Sequence, residues 1–542
     1  MSNARVVVPA PVNEPVLSYA PGSPERAELK RTLDHLAKSE LELPLFVGGH
    51  RVRTEKLGAT VMPHAHSHVL GRYHQAGPKE VEAAIRAALD ARHDWARLPQ
   101  SARSAVFLKA AELLATKHRQ MLNAATMLGQ SKTAHQAEID AACELVDFFR
   151  FNVHFAERIL EEQPLSGPGM WNQVDARPLE GFVFAVTPFN FTSIAGNLPT
   201  APAILGNTVL WKPASTAVYS AQFIMELLLE AGLPPGVINL VYGSGSQIGN
   251  AVLESPDLAG VHFTGSTGVF QGMWKTIGGR IDRYRTYPRL VGETGGKDFI
   301  FAHESADRQA LAVAIVRGAF EFQGQKCSAA SRVYLPSTVA GDVRERVRAM
   351  VAELRVGDIR DFTNFMGAVI DQSAYRDHVG YIEHARQDGS KILAGGTYDD
   401  RVGWFIQPTV VEARDPKSKL MCEEIFGPVL TLYVYDANRV DDALTLCDET
   451  SPYALTGAVF AQDRAFVEKA SEKLRHAAGN FYVNDKPTGA VVGQQPFGGA
   501  RASGTNDKAG SLWNLIRWVS PRTIKETFSP PTSYRYPFLS ES

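Results

Sequence analysis

The sequence predicts an α/β protein that contains a doubly wound parallel sheet. With 542 residues, the chain is longer than one hydrophobic core accommodates, so we expect two or three domains. From Gly181 onward, short apolar runs alternate with amphipathic stretches. Strands that alternate with helices at this spacing are typical of parallel sheets, whose ligands bind beyond the carboxyl ends of the strands.

The N-terminal part is predicted to be mainly helical. A polar lead over residues 1–45 contains one helix, from Pro24 to Lys38. The histidine-rich patch from His64 to His74 is expected to be a solvated loop, since no carboxylate or cysteine joins these histidines to form a metal site. Apolar residues at helical spacing then predict three helices, at 78–97, 101–115 and 134–158.

Two sets of strands are predicted in the alternating part of the chain. The first set comprises strands at 182–186, 208–211, 237–241 and 260–263, with helices that begin at Ser215, Ser246 and Thr267. The second set comprises strands near 299–301, 332–335, 391–393, 429–434 and 480–483. The apolar tail over 512–528 ends in a strand-like run, and it is either a partner surface or a strand that caps a domain.

Composition and charge exclude several classes of function. The 56 basic and 58 acidic residues give a net charge of −2, so nothing points to nucleic acid or to a membrane surface. The uncharged stretch from Gly181 to Trp211 is rich in proline and asparagine, which lipid would penalise, so we expect it to be buried within the protein. The four cysteines lack the spacing of a disulfide framework or a metal site, which fits a reducing compartment. The first twelve residues lack the anatomy of a signal peptide.

One cysteine has neighbours that suit nucleophilic chemistry. Cys327 follows Lys326 and precedes Ser328, at the predicted junction between a helix and a strand. A thiol becomes a good nucleophile when a nearby cation or free backbone N–H groups favour its thiolate. The alternative for a lone cysteine is a small, buried apolar side chain.

Two glycine-rich turns are candidates for binding phosphate. The turn over 263–268 places Gly265 and Ser266 at a helix start, where backbone N–H groups can meet an anion. The turn over 243–249 also joins a strand to a helix, but its glycine spacing departs from the dinucleotide-binding fingerprint. A plain tight turn is the alternative in both places.

Six motifs, in this order, resemble those of the aldehyde dehydrogenase superfamily. They are TPFNFT at 187–192, WKPAS at 211–215, FTGS at 263–266, GETGGK at 292–297, QKCSA at 325–329 and EIFGP at 424–428. The resemblance covers nearly the whole chain. It implies an aldehyde dehydrogenase-like fold with a Rossmann-type cofactor domain, an α/β catalytic domain and a small β oligomerisation flap. No metal is implied.

The same resemblance implies domain boundaries and an assembly. An NAD-binding domain would cover residues 1–165 and 183–293, and a catalytic cysteine domain would cover 294–490. The oligomerisation flap and tail would be 166–182 and 512–530, which implies a homodimer or a higher homo-oligomer.

Further stretches are similar to the delta-1-pyrroline-5-carboxylate dehydrogenase branch of this superfamily. They lie at 13–17, 22–26, 136–140, 147–152 and 484–506. This similarity implies oxidation of L-glutamate gamma-semialdehyde to L-glutamate with NAD, a step of proline breakdown. The implied compartment is a bacterial-type cytoplasm, or the mitochondrial matrix if the protein is eukaryotic and processed.

The resemblance also implies catalytic roles. Cys327 would attack the aldehyde, and the oxyanion that forms would be bound by the Asn190 side-chain amide and the Cys327 N–H. Glu293 would act as the general base that activates water for hydrolysis of the thioester.

Cofactor contacts are implied in the same way, with two departures from the family pattern. Lys212 would bind the adenosine ribose, Gly265 and Ser266 the pyrophosphate, and Glu424 with Phe426 the nicotinamide ribose. Ser215 stands where many members have a glutamate that binds the ribose hydroxyls. Because that carboxylate would repel a 2′-phosphate, NADP is less firmly excluded, although NAD remains the expected cofactor. The second departure is Phe270, which replaces the usual glycine of the phosphate turn.

For the substrate, the resemblance implies a cradle of backbone N–H groups. Gly489 and Ala490 would bind the alpha-carboxylate with help from the Ser328 hydroxyl. Phe191 and Phe497 would line the aliphatic chain. Glu138 would either orient the ammonium group, or be a carboxylate on the helix surface or one that supports the site indirectly.

Three other interpretations remain open at this point. The chain could oxidise another small aldehyde, such as succinate semialdehyde, because only the 484–506 loop and Glu138 separate the two substrates. It could be a binding protein that keeps the fold without the chemistry, although the presence of Cys327, Glu293 and Asn190 speaks against this. A bifunctional, DNA-binding protein finds no support in residues 1–45, which are too few and not basic.

Overall fold

Two seven-stranded sheets organise the chain in the computed structural model, which describes residues 6–539. The first sheet contains, in spatial order, Arg289–Glu293, Leu258–Thr264, Phe182–Thr187, Thr208–Pro213, Ile238–Leu240, Leu45–Val47 and His50–Val52. The first five of these strands are parallel, and Leu45–Val47 runs antiparallel to both of its neighbours, Ile238–Leu240 and His50–Val52. The strand order reverses beside Phe182–Thr187, so a crevice for ligands opens between the carboxyl ends of that strand and Leu258–Thr264.

Helices cover the first sheet, and their ends follow local sequence signals. They are Pro24–Ala37, Pro78–Arg97, Gln100–Ala115, Arg119–Gln130, Ala134–Ala137, Leu145–Glu161, Thr192–Ile204, Val218–Ala231, Gly245–Glu254 and Thr267–Gly278. The first helix begins after Ser23, whose hydroxyl accepts a hydrogen bond from the Arg26 N–H. Val218–Ala231 ends at Gly232, which adopts the left-handed conformation with φ 102°.

The second sheet carries the cysteine segment. Its strands are, in spatial order, Lys391–Ala394, Thr409–Glu412, Val429–Tyr435, Ala330–Pro336, Asp298–Ala302, Thr456–Phe460 and Asn480–Val483. All of them are parallel except Lys391–Ala394. The helices around this sheet are Arg308–Phe320, Ala340–Glu353, Gln372–Gln387, Lys419–Cys422, Val440–Glu449 and Arg464–Lys473. Side chains alternate along the central strand, so that Phe299 and Phe301 enter one core while Ile300 and Ala302 enter the other.

Smaller sheets complete the fold. Leu41–Leu43, Ala65–His74 and Leu57–Met62 form a three-stranded sheet, and Tyr398–Asp399 with Phe405–Ile406 and Tyr453–Ala454 with Ala500–Arg501 form two short pairs. The tail forms a helix, Leu512–Leu515, and then the strand Val519–Thr527. That strand pairs antiparallel with Met170–Pro178 along its full length, so the predicted tail and flap form one two-stranded ribbon.

The structure corrects two predictions about the N-terminal part. The patch from His64 to His74 is not a solvated loop, because most of it is the strand Ala65–His74, with both terminal histidines buried. His64 Nδ1 lies 3.2 Å from Ser131 Oγ, and His74 Nδ1 lies 2.8 Å from the Thr54 carbonyl oxygen. The helix Arg119–Gln130 was not predicted. Every residue of this helix except Met121 is buried, including the polar residues Arg119, Gln120 and Asn123.

Other features of the described residues bear on the function. Among residues 6–539, no helix combines the length and the apolar character that crossing a membrane requires. Within the same range, no three His, Cys, Asp or Glu side chains come together as a metal site. The four cysteines are free thiols. Residues 1–5, part of the stretch analysed for a signal peptide, lie outside the described range.

Candidate active site

The segment that carries Cys327 joins a helix to a strand, as predicted. Arg308–Phe320 ends in a tight turn over Glu321–Gly324, and the strand Ala330–Pro336 follows. Within the turn, Phe322 and Gln323 both have positive φ, 53° and 57°, a conformation that costs a non-glycine residue about 1–3 kcal/mol. The reactive segment is therefore held in an energetically costly backbone conformation.

The side chain of Gln323 stabilises this turn through hydrogen bonds to two other segments of the chain. Its Nε2 donates to the carbonyl oxygens of Ser131 and Ala368, at 3.0 and 2.7 Å, and its Oε1 accepts from the Gly367 N–H at 3.1 Å. Three hydrogen bonds from one buried side chain offset part of the backbone strain. They also tie the nucleophile loop to the segment 367–368.

The Cys327 thiol is buried, with only 8% of the residue exposed. Burial raises its pKa well above the usual value, and the negative charges of Asp298, Glu424 and Glu293 raise the pKa further. The expectation that Lys326 favours the thiolate is not met, because the Lys326 ammonium pairs with Glu321 at 3.2 Å instead. The thiol is protonated at rest, so its activation requires a base that accepts the proton.

Glu293 ends the strand Arg289–Glu293, and its carboxylate is close enough to influence the Cys327 thiol. Oε2 accepts a hydrogen bond of 3.0 Å from the Gly499 N–H. Burial raises the pKa of Glu293 well above the ordinary value, against a lowering effect of that hydrogen bond and of the Lys508 charge. Such a raised pKa is typical of a carboxylate that acts as a general base near neutral pH.

Asn190 follows the strand Phe182–Thr187, at the crevice where the strand order reverses. Its Nδ2 donates to the Gln325 carbonyl oxygen at 3.1 Å. The structure thus ties Asn190 to the loop two residues before Cys327, and it places Glu293 close enough to raise the pKa of the Cys327 thiol. This is the arrangement that an oxyanion donor, a base and a nucleophile require.

A buried ion pair that sequence reasoning missed supports this arrangement. Lys132 is fully buried, and its ammonium lies 2.6 Å from Asp140. Asp140 also accepts hydrogen bonds from the N–H groups of Thr192 and Ser193, both at 2.9 Å, immediately after the Asn190 turn. The only signal available in the sequence is the presence of two opposite charges within a segment of otherwise apolar helical pattern.

The Lys132 ammonium also contacts aromatic rings on both sides of the site. It lies 4.5 Å from the ring centre of Phe191 and 4.4 Å from that of Phe322, within the range of cation–π attraction. Because Phe191 follows Asn190 and Phe322 precedes Cys327, the ion pair connects the predicted oxyanion donor to the nucleophile loop.

The predicted pyrophosphate and adenosine contacts lie along the same crevice. Lys212 ends the strand Thr208–Pro213 nearly buried, and no described carboxylate pairs with its ammonium. Gly265 donates its N–H to the Glu293 carbonyl oxygen at 3.2 Å. Ser266 precedes the helix Thr267–Gly278 and makes no side-chain cap, and Ser215 is exposed at the start of a short 3₁₀ turn. A buried cation without a described carboxylate partner and a helix start with free N–H groups, at the carboxyl ends of strands of one sheet, fit an anionic dinucleotide.

Glu424 and Phe426 lie at the other end of the predicted cofactor site. The Gly296 N–H donates to Glu424 Oε1 at 2.8 Å, and burial raises the pKa of Glu424 to about 7. Phe426 has φ 56°, and its ring lies 5.8 Å from that of Phe189 in an edge-to-face arrangement. Glu424 therefore lies against the turn that follows Glu293, which suits contact with a nicotinamide ribose.

Phe270 explains how the chain departs from the family pattern at the phosphate turn. Its ring stacks on Phe263, with centroids 5.3 Å apart, and fills the space above Gly292. A Cβ at Gly292 would meet the Phe270 ring at 2.2 Å. The aromatic side chain therefore points into the core and leaves the helix start at Ser266 open.

The predicted substrate loop contacts the residue after the nucleophile. Ser328 Oγ lies 2.8 Å from Thr488 Oγ1, and the Lys486 ammonium donates to the Thr488 carbonyl oxygen at 2.9 Å. Gly489 follows with φ 95°, a conformation that favours glycine, and Ala490 is half-buried.

Phe497 and Phe191, the predicted aliphatic walls, are both half-buried. Phe497 pairs through its backbone with Ala509, with N···O distances of 3.0 and 2.8 Å. Its position is therefore fixed by a second segment of chain.

Of the roles expected for Glu138, the structure supports the indirect one and contradicts both substrate contact and a position on the helix surface. Its carboxylate is fully buried and paired with Arg119. It also accepts hydrogen bonds from the Tyr19 hydroxyl, the Asn123 amide and the Leu17 N–H, at 2.8, 2.8 and 2.9 Å. With its oxygens occupied by protein donors, Glu138 is a structural carboxylate that supports the site indirectly.

Sequence comparison identifies the family. The profile of the aldehyde dehydrogenase family matches residues 52–524. The chain belongs to the aldehyde dehydrogenase family. The superfamily resemblance and the fold class are thereby confirmed.

Relatives with full coverage resemble this chain closely. The delta-1-pyrroline-5-carboxylate dehydrogenase, mitochondrial, of Dictyostelium discoideum is 50% identical over 540 residues, which cover 99% of this chain and 97% of that protein. The crystal structure of the delta-pyrroline-5-carboxylate dehydrogenase from Mycobacterium tuberculosis superimposes with a TM-score of 0.97 at 53% identity and covers 100% of both chains. The structure of the same protein bound with NAD gives a TM-score of 0.96 at 54% identity and covers 99% of this chain and 100% of that one.

Proposed function

We propose that this chain catalyses the NAD-dependent oxidation of L-glutamate gamma-semialdehyde to L-glutamate. The chain is an aldehyde dehydrogenase, and its full-length relatives are delta-1-pyrroline-5-carboxylate dehydrogenases. The observation that supports the substrate assignment is the Ser328–Thr488 hydrogen bond, because it ties the residue before Gly489 to the residue after the nucleophile. A semialdehyde with a distal carboxylate needs a pair of donors such as the N–H groups of Gly489 and Ala490.

Chemistry begins at the buried sulfur. Cys327 Sγ releases its proton to solvent water, and the thiolate attacks the aldehyde carbon, which forms a C–S bond while the carbonyl π electrons move to oxygen as an oxyanion. The Asn190 amide and the Cys327 N–H donate to this oxyanion. Bound NAD supplies the hydride acceptor, so that the C–H bond breaks and a thioester remains on Cys327.

Hydrolysis completes the cycle. Glu293 accepts a proton from water, the resulting hydroxide attacks the thioester carbon, and the C–S bond breaks to release the acid and the Cys327 thiolate. The Gly499 N–H holds the Glu293 carboxylate until it is needed. Glu293 acts in its ionised form, so its raised pKa governs the pH dependence of this step.

We assign the cofactor contacts to residues that lie along the crevice. Lys212 binds the adenosine ribose, Gly265 and Ser266 face the pyrophosphate, and Glu424 with Phe426 holds the nicotinamide ribose. Ser215 leaves the adenosine end without the carboxylate that excludes a 2′-phosphate.

For the substrate, Gly489 and Ala490 bind the carboxylate, Ser328 assists, and Phe191 and Phe497 enclose the aliphatic chain. Glu144 replaces Glu138 as the partner of the ammonium group. It lies at the end of the π-helical turn Glu138–Glu144, and its Oε2 accepts a hydrogen bond of 3.0 Å from Ser193 Oγ, three residues after Asn190. Burial raises the pKa of Glu144 to about 8. The positive charge of a bound ammonium group would lower this pKa and favour the ionised carboxylate.

The assembly that we infer is a homodimer through the ribbon of Met170–Pro178 and Val519–Thr527. Trp171, Ile524 and Phe528 are exposed on or beside this ribbon. Exposed apolar side chains on an open two-stranded edge are typical of an interface. The number of subunits in solution, measured by mass for the full chain and for a chain that ends at residue 518, tests this inference. We expect a dimer for the full chain and a monomer for the shortened chain, and an unchanged number of subunits would contradict the inference.

The activity is tested by following NADH formation with glutamate gamma-semialdehyde and with succinate semialdehyde. We expect the first substrate to be preferred in kcat/KM, and the variant Cys327→Ala to form no NADH with either. Equal rates on both aldehydes would favour a less specific dehydrogenase, and unchanged NADH formation by Cys327→Ala would contradict the mechanism.

A further inference from the structure

An extended segment near the N-terminus contacts the loop that follows Ala490. We call residues 13–19 the N-terminal strap. The strap contains no helix or strand, yet side chains hold it at both ends. Its first residue, Asn13, donates from Nδ2 to Asp147 Oδ2 at 2.8 Å and to the Val492 carbonyl oxygen at 2.9 Å. Its Oδ1 accepts from Gln494 Nε2 at 2.9 Å.

Buried charges fix the strap to the helical layer. The Leu17 N–H and the Tyr19 hydroxyl both donate to Glu138. The Glu14 N–H donates to Asp147 Oδ1 at 2.7 Å, and the Glu14 carboxylate pairs with Arg119 and Arg150 at 2.5 and 2.8 Å. The role of Glu138 is therefore to anchor the strap.

Asn13 connects this anchored strap to the loop that follows Ala490. Val492 and Gln494 lie two and four positions after Ala490, and the remaining hydrogen bonds of 491–495 are internal to the loop. On its other side, the loop is tied to Ser328 through Thr488. The Gly489–Ala490 turn thus spans the distance between the nucleophile segment and Asn13.

We propose that Asn13 is a positioning residue for the substrate carboxylate. By holding Val492 and Gln494, it sets the direction in which the Gly489 and Ala490 N–H groups point. This inference rests on the proposed function of that turn. Asn13 contacts none of Cys327, Glu293 and Asn190, so it acts on binding of the substrate rather than on the chemical steps.

The test compares two aldehydes. In Asn13→Ala, two donated hydrogen bonds and one accepted hydrogen bond are lost, and we expect the KM for glutamate gamma-semialdehyde to rise about tenfold or more. We expect kcat with this substrate to change less than about twofold. The kinetics of butanal, which has no carboxylate, should stay unchanged, because butanal does not use the turn.

A second variant and a matched control keep the test decisive. Gln494→Ala removes one of the three contacts and should raise the same KM by a smaller factor. Asn438→Ala replaces an exposed asparagine outside the strap and should leave the kinetics of both aldehydes unchanged. An Asn13→Ala protein whose kcat/KM falls equally for both aldehydes, or for neither, would overturn the proposal. If the unmodified protein does not oxidise the semialdehyde at all but does oxidise butanal, the proposed function fails instead.

Discussion

The side-chain amide of Asn190 donates a hydrogen bond of 3.1 Å to the carbonyl oxygen of Gln325, two residues before the nucleophile. One N–H of the amide is thereby fixed to the cysteine loop, and the second remains to bind an oxyanion. A donor that is already oriented costs no reorganisation during the reaction.

Loss of this donor should slow the chemistry. We expect Asn190→Ala to lower kcat by about 100- to 1000-fold, the range typical of a single missing oxyanion donor. Steady-state NADH formation measures the effect, and Asn438→Ala is the exposed control. A fall of less than about fivefold would show that the Cys327 N–H suffices alone.

Replacing the base should separate the two halves of the cycle. In Glu293→Gln, hydride transfer proceeds but thioester hydrolysis stalls, so we expect a rapid burst of NADH followed by very slow turnover. Because the pKa of Glu293 is raised, steady-state turnover of the unmodified protein should increase with pH up to that raised pKa and be lost below it. Stopped-flow absorbance at several pH values measures both effects. A variant with no burst would place Glu293 before hydride transfer.

Binding of NAD should depend on pH through Glu424. Its pKa is raised to about 7, so its carboxylate is ionised above that pH and can accept hydrogen bonds from ribose hydroxyls. Below that pH the carboxyl is protonated. We expect the KM for NAD to increase as the pH falls through about 7, and Glu424→Gln to show a high KM that does not vary with pH. A variant that keeps the pH dependence would assign it to another group.

The Phe270 ring should make Gly292 intolerant of a methyl group. In Gly292→Ala the new Cβ would lie 2.2 Å from the ring, so the helix start at Ser266 must shift. We expect a loss of about 1–3 kcal/mol in the free energy of unfolding, together with a higher KM for NAD. Adding Phe270→Leu makes room and should restore part of both losses. Urea denaturation and steady-state kinetics check these outcomes, and the absence of any rescue would contradict the steric explanation.

The buried pair of Lys132 and Asp140 should be costly to break. Lys132→Met leaves the Asp140 carboxylate without its cation, and we expect a loss of about 3–5 kcal/mol in the free energy of unfolding. The control is Lys469→Met, since Lys469 pairs with Asp441 at 2.7 Å on the surface and should change stability by less than about 1 kcal/mol. Equal effects of the two variants in urea denaturation would rule out a special role for the buried pair.

Much of the fold could be predicted because it follows local patterns. The helix Pro78–Arg97 and the strand Asn480–Val483 begin and end where apolar periodicity places them. The segment His64–His74 was misassigned, since its burial depends on distant partners such as Ser131. Pairing between segments far apart in the chain leaves no local pattern.

The candidate site, like the fold, could be predicted only in part. The family motifs single out Cys327, Glu293 and Asn190, and the structure links Asn190 to the Cys327 loop and places Glu293 near the thiol. The role of Glu138 was left open between substrate contact and indirect support, because a sequence gives no direction to a side chain within a helical segment. The π-helical turn Glu138–Glu144 changes those directions by an amount that helical spacing does not predict. The sequence identifies the types of residue in the site, but it does not determine the orientation of their side chains.

Only four residues separate the strand that ends at Glu293 from the strand that begins at Asp298, and these strands belong to different sheets. The base and the thiol are therefore carried by two bodies that meet at a short crossing. Any rotation of one sheet against the other would therefore change the distance between Glu293 and Cys327, so the rigidity of these four residues sets how precisely base and nucleophile are aligned.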